Sequence, residues 1–183
     1  DVRVPGASAS LPGLGSGSWG GTFTGGSNGY AGFDALGNID GENTEAYNFY
    51  KLINGTNSQG YKFTGTSIAD ETGTGAYIKA LMLLENQDEY DINMILIPGV
   101  VDGIGGGHTA VVSKAIDVCE ARGDAFLVYD AVAYGTSNIS SVAGQAESRD
   151  TNYAATYWPW VQVPDSKIGT NRFVPPSVVV PGI

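Results

Sequence analysis

Two short apolar runs constrain this chain more tightly than any other feature. Ile92-Asn93-Met94-Ile95-Leu96-Ile97 is closed by Pro98-Gly99, and Ala125-Phe126-Leu127-Val128-Tyr129-Asp130 follows later. Neither alternates apolar with polar residues, so neither suits a strand with one wet face. Both read as short strands buried on two faces. Between them, Val112, Ala115, Ile116 and Cys119 recur at helical spacing over the stretch from His108 to Arg122, and Gly123 stops the pattern. Strand, helix, strand in that order predicts a parallel pair joined by a crossover helix.

The flanking sequence extends the same alternation. Ala46, Phe49, Tyr50 and Ile53 predict a helix over 43–53 with Gly55 as its cap, and Tyr77, Leu81 and Leu84 predict one over 76–87. A shorter helix is expected over 139–149, and a third strand from Tyr153 to Val163, interrupted by Pro159. The expected fold class is α/β, a mostly parallel sheet with helices on both faces, preceded by a Gly-rich irregular segment. No internal repeat is visible.

Glycine marks that lead segment: 17 of the chain's 27 glycines lie at or before Gly75. Residues 1–41 are rich in Gly, Ser, Pro and Asn, with short strands expected near Val2–Val4 and Trp19–Phe23. Trp19, Phe23, Tyr30 and Phe33 point to packing of this stretch on another surface. Asn28-Gly29 predicts a tight turn with Gly29 at positive φ. Residues 1–24 are read as a lead or linker and 25–183 as the α/β domain. The start at Asp1 and the stop at Pro181-Gly182-Ile183 suggest a piece of something longer.

Charge excludes several function classes. The net charge is −10 with only nine Lys and Arg, the wrong sign for binding nucleic acid or an anionic membrane. Eleven acidic residues against three basic ones fall between Asp70 and Asp130, which reads first as a solvated acidic face. One cysteine, Cys119, excludes an internal disulfide and a cysteine-rich zinc site, and one histidine, His108, weakens any case for a histidine metal centre or triad. No apolar run is long enough to cross a membrane as a helix.

Few residues invite a chemical reading. Gly105-Gly106-Gly107-His108-Thr109-Ala110 has the G-x-G-x-x-A form of a dinucleotide loop ahead of a helix, and Asp130 ends a strand downstream. Pro98 to Ile104 separate the loop from its strand, however, where a dinucleotide fingerprint turns straight off the strand. A flexible strand-to-helix loop is the better reading, and a nucleotide-binding enzyme built on Gly105 and Gly107 is kept as the alternative. Asp102 and Asp130 at successive strand ends resemble a magnesium pair, but no third ligand is evident. Asp130 is read as a turn former or a loop hydrogen-bond acceptor. His108 has no nucleophile placed with it and reads as a surface or N-terminal helix residue, and Cys119, on the apolar helix face, is expected to be buried and inert. Tyr153, Tyr157, Trp158 and Trp160 could stack on sugars or bases, but the charge is wrong for nucleic acid and alternation along a strand explains the cluster by core and interface packing. No catalytic, cofactor or metal-binding residue is assigned.

Five segments together carry a resemblance. Gly25-Gly26-Ser27-Asn28-Gly29 resembles the GGSDG-like turn of contractile phage tail sheath proteins, with Asn where Asp is usual. Ile95-Leu96-Ile97-Pro98-Gly99 is similar to that family's strand ending in Pro-Gly. Cys119-Glu120-Ala121-Arg122-Gly123-Asp124-Ala125-Phe126 resembles its C-E-x-R-x-D-x-F stretch. Tyr153-Ala154-Ala155-Thr156-Tyr157-Trp158-Pro159-Trp160 resembles its S-x-Y-A-A-x-Y-Y-P-W segment, with Trp158 where Tyr is commoner. Val174-Pro175-Pro176-Ser177 through Pro181-Gly182 resembles its V-P-P-S-x-x-V-x-G run. The five keep the family's order over residues 25–183, while residues 1–24 carry no family motif.

The resemblance implies a structural subunit with no catalytic activity. It would polymerise with other sheath subunits in helical hexameric rows around an inner tail tube, and contract to drive that tube through a host envelope for genome ejection. Contacts with the tube and baseplate, and the C-terminal mesh-forming domain, would lie in parts this chain lacks. It further implies residence in the virion tail, with assembly in the host cytoplasm, no cofactor, no nucleic-acid partner and no membrane insertion.

Overall fold

A computed structural model describes residues 49–58, 61–166 and 169–182. The boundary expected at residue 24, the strands near Val2–Val4 and Trp19–Phe23, and the Asn28-Gly29 turn lie outside the described residues. So does the first half of the 43–53 helix, of which α1 (Phe49–Leu52) is described.

The centre is a three-stranded parallel sheet in the order β3 (Met94–Val101), β4 (Phe126–Asp130), β5 (Ala154–Thr156). Helix α3 (Gly107–Arg122) is the crossover between β3 and β4. Its Val111, Val112, Ala115, Val118 and Cys119 are fully buried and pack with Ile95, Ile97, Leu127 and Tyr129 of the sheet. Each buried valine of that stripe contributes about 2 kcal/mol. Gly123 ends the helix at φ 72°, donating its N–H to the Cys119 carbonyl at 2.9 Å. Helix α2 (Gly73–Leu83) lies against α3, starting earlier and ending earlier than its apolar spacing predicts, with Ile78 and Leu81 buried and Tyr77 and Leu84 half-covered.

Partners in register point to the same side of a parallel sheet, so alternation assigns the second face. Met94 pairs with Phe126, Leu96 with Val128 and Val101 with Asp130, all turned away from α3. Val101 packs with Tyr50 and Ile53 of the α1 segment and with Trp160, while α5 (Pro176–Val179) lies on β3 and β4 beside Asp130. The α/β class with helices on both faces is therefore present. Full burial of both strands is not, because Met94, Leu96 and Phe126 remain 36–45% exposed on the second face.

Pro98-Gly99 does not close β3, contrary to the sequence reading. The strand runs through it to Val101 by way of a large bulge: the four residues between Leu96 and Val101 are set against one, Tyr129, between Val128 and Asp130. Proline is tolerated because the bulge takes it out of the ladder, and Gly99 adopts φ 85°. Ser58, at the end of the short strand β1 (Asn57–Ser58), donates its hydroxyl to the Gly99 carbonyl freed there. β1 pairs antiparallel with β2 (Tyr61–Lys62).

The expected third strand divides in two. β5 stays in the parallel sheet, but β6 (Val161–Asp165) leaves it to pair antiparallel with β7 (Thr170–Val174). Trp158-Pro159, a cis peptide bond, lies between the two. Tyr50, Tyr134, Trp160 and Phe173 pack edge-on where this hairpin meets the second face, with ring centroids 4.5–5.9 Å apart. Helix α4 (Ile139–Glu147), the second crossover, is capped by the Asn138 side chain, which accepts from the Ser140 and Ser141 N–H groups.

Candidate functional site

Parallel sheets place ligand sites at the carboxyl ends of their strands, and Asp102 and Asp130 sit there. Asp102 follows β3 directly and is 2% exposed. Its carboxylate accepts two hydrogen bonds from Arg149, Nη2 to Oδ1 at 2.7 Å and Nε to Oδ2 at 2.8 Å, and a longer one from Gln145 at 3.3 Å. Arg149 also donates to Ser113 Oγ of α3 at 2.9 Å, which places the pair on the α3 side of the sheet. Tyr129, on that same side, has its hydroxyl pKa raised by burial and then by the Asp102 charge, while the hydrogen bond to Asp102 raises that of Arg149.

Asp130 turns to the opposite face and meets no cation among its described partners. It accepts from the Ser177 N–H at 3.1 Å and the Ser177 hydroxyl at 2.7 Å. Burial pushes its pKa up to about 6, against the pull of those two donors. The sheet thus separates the two carboxylates, and each is occupied by a partner 47 residues away in sequence. A shared magnesium site is not assembled, and Asp130 is a hydrogen-bond acceptor, as read from the sequence. Among the described residues, no three His, Cys, Asp or Glu side chains group to hold a metal.

In the Gly105–Gly107 loop the protein itself packs against Gly106 and Gly107, while Gly105 faces open space. A Cβ on Gly106 would lie 2.7 Å from the Gly55 carbonyl oxygen, and one on Gly107 would lie 2.1 Å from Thr74 Oγ1 and 2.7 Å from the Phe63 carbonyl oxygen. Gly106 and Gly107 admit a close approach by the 55–74 segment. His108 opens α3 as a first-turn residue but is fully buried, not on the surface, because it stacks on Phe63 at 4.5 Å. Its Nδ1 accepts the Val101 N–H at 3.1 Å, so the neutral ring carries its proton on Nε2. Burial lowers its pKa, opposed by the carbonyls of Asn54 and Asn57.

Cys119 is buried, with burial pushing its thiol up to about 11, as suits a small core residue. The aromatic segment divides. Trp160 is buried and donates Nε1–H to the Val132 carbonyl at 3.0 Å, whereas Tyr157 and Trp158 stay exposed, Trp158 donating to the Thr136 carbonyl at 3.2 Å. A recess of about 210 Å³ lies beside α3, lined by Ser113, Asp117, Glu120, Arg149 and Asp150. The one cation on that lining is already bound to Asp102.

Three side chains that sequence reasoning passed over prove the most connected. Arg122, its side chain 1% exposed, grips Asp124 through Nε and Nη2 at 2.9 Å each, and donates to the carbonyls of Leu84 at 2.5 Å and Tyr90 at 2.9 Å. It ties the end of α2 to the end of α3. Arg149 and Ser177 do the same for the two strand ends. Arg122 and Ser177 lay within quoted motifs, whereas Arg149 carried no signal. No protein-family model, curated protein or solved structure matches this chain.

Proposed function

We propose that this chain is a structural subunit of a contractile tail sheath, which polymerises with copies of itself around an inner tube and contracts to drive that tube through a host envelope. The observation that carries the reading is what the motif residues do. Arg122 and Asp124, from the Cys119–Phe126 segment, form the clamp between α2 and α3. Ser177, from the Val174–Ser177 segment, closes Asp130 at the end of the strand that the first segment begins. Pro98-Gly99 makes the bulge of β3, and Trp160 plugs the junction with the hairpin. Motif residues that serve as joints suit a subunit that must move as a rigid body while its contacts exchange.

The nucleotide-binding alternative is disfavoured because Gly55, Phe63 and Thr74 pack against Gly106 and Gly107, two of the three glycines it would use. The test is an antibody raised against the folded chain and applied to parent particles in negative-stain electron micrographs. Regular decoration along a contractile tail is expected. Label confined to heads, fibres or debris, or particles without such tails, would overturn the reading.

A further inference from the structure

His108 sits in the first turn of α3, where three parts of the chain meet. Its Nδ1 accepts the Val101 N–H at 3.1 Å at the end of β3, and Phe63 stacks on its ring at 4.5 Å. The carbonyls of Asn54 and Asn57 face the ring, yet buried Nε2 completes no hydrogen bond among the described residues. Asn54 and Asn57 close a turn on each other: the Asn54 N–H donates to the Asn57 carbonyl at 2.9 Å, and the Asn57 N–H to the Asn54 carbonyl at 3.1 Å. The Phe63 N–H donates to the Thr56 carbonyl at 2.8 Å, and Ser58 donates its hydroxyl to the Gly99 carbonyl. The turn and Phe63 thus hold together as one piece, resting on the end of β3 and the start of α3.

We propose that His108 is the latch of an acid-released flap: protonation of its ring frees the Asn54–Ser58 turn and Phe63 from the end of β3 and the start of α3, while the βαβ core stays folded. The closed state requires a neutral ring, because Nδ1 accepts the Val101 N–H only without a proton of its own. A second proton sets N–H against N–H and leaves a cation at a position that is 0% exposed. The charged groups on the surrounding elements do not relieve it. Lys51, Lys62 and Lys79 carry the same sign and are exposed, as is Glu71. Asp102, next to Val101, is held by Arg149, and Asp70 accepts from the Ser67 N–H. None of them shifts the ring: burial lowers its proton affinity, and only the two carbonyls oppose that.

Opening is local for two reasons. Asn54 and Thr56 are exposed, so undocking this piece admits water to the ring, while α3 keeps its own contact with the sheet through Val112, Ala115 and Cys119. Asp130, whose carboxyl burial pushes up to about 6, gains from the same acidification and steadies the joint under α5. The sign follows from proton counting. The open ring titrates near its ordinary 6.5 and the closed ring below it. Between those two values the open state holds one more proton, so opening becomes about tenfold easier for each pH unit lost.

Hydrogen exchange on the full chain, from about pH 8 to pH 5 and with each amide's intrinsic pH dependence divided out, tests the latch. Protection of the Asn57 and Phe63 N–H groups should be level above pH 6.5 and fall about tenfold per unit below it. Val118 and Leu127 should keep theirs. His108→Asn sets an uncharged acceptor near the place of Nδ1 and should abolish the fall. In the wild type, ¹⁵N spectra of the ring should show the Nε2–H form at neutral pH and its titration in step with the loss of Phe63 protection, a readout that does not depend on the variant folding. A flat profile at Phe63, or a slope that survives His108→Asn, would overturn the proposal. So would Leu127 losing protection together with Phe63, or a ring that titrates while Phe63 stays protected.

Discussion

The ends of β3 and β4 solve one problem in two ways. Asp102 and Asp130 are both buried at the carboxyl ends of neighbouring strands, on opposite faces of one sheet. Asp102 is met by a guanidinium in bidentate geometry, and its partner Arg149 keeps 21% of its side chain in water. Asp130 is met by a backbone N–H and a hydroxyl, neither of which carries charge. A charge-assisted bidentate pair sets an opposite charge against the buried carboxylate, whereas two neutral donors only partly replace the lost hydration. The first joint should therefore fail when its cation is removed. The second should gain when its charge is removed.

The largest expected effect is on the Asp102 side. Arg149→Met leaves a buried carboxylate with no cation and should destabilise the fold by ~3 kcal/mol in urea titrations at pH 7.5. Adding Asp102→Asn to that variant should recover part of the loss. If Arg149→Met costs less than ~1 kcal/mol, water reaches Asp102 and the contrast between the two joints disappears.

Asp130→Asn comes next and has the opposite sign. The amide accepts from the Ser177 N–H and donates to its hydroxyl, while the cost of burying a charge vanishes. The folded pKa of Asp130 is raised from 3.8 to about 6, so its contribution to stability is complete below pH 3.8 and is lost as pH rises through 6. At pH 7.5 the variant should be more stable by on the order of 2–3 kcal/mol. His108 runs the other way: its folded pKa is lowered from 6.5, so its contribution is present above that value and lost on acidification. Wild type superimposes these two trends, and Asp130→Asn should leave only the histidine's. A variant whose stability still falls between pH 4 and 6 as pH rises would remove Asp130 as the cause.

Ser177→Ala should cost ~1–2 kcal/mol at pH 7.5, through loss of a hydroxyl bond to a carboxylate. The cost should shrink at pH 5, where Asp130 is largely protonated. Equal costs at both values would mean that the hydroxyl serves the packing of α5 and not the charge. Ser113→Ala should have the smallest effect, about 0.5 kcal/mol, because Arg149 keeps both bonds to Asp102 and its exposed part turns to water. A loss as large as that of Arg149→Met would show that the serine, not the carboxylate, orients the guanidinium.

The sequence by itself determined the central βαβ unit. The apolar runs around Ile95 and Leu127, the i, i+3, i+4 stripe of α3 and the Gly123 stop depend on period and on backbone freedom, and both are local properties. It also ranked the candidate sites usefully, reading Cys119 as buried, Asp130 as an acceptor and the Gly105–Gly107 loop as a connection. Only the tertiary structure decided where those groups find their partners. The bulge that carries β3 past Pro98-Gly99 follows from the register with β4, and the departure of Val161 from the sheet follows from its pairing with Val174. Arg149 meets Asp102, and Ser177 meets Asp130, across 47 residues each, a separation at which no local spacing signals a contact. An apolar run states that burial is favourable but not by what. That is why Met94, Leu96 and Phe126 look as deeply buried in the sequence as Ile95 and Leu127, and differ from them only once α3 has covered one face of the sheet and left half of the other open.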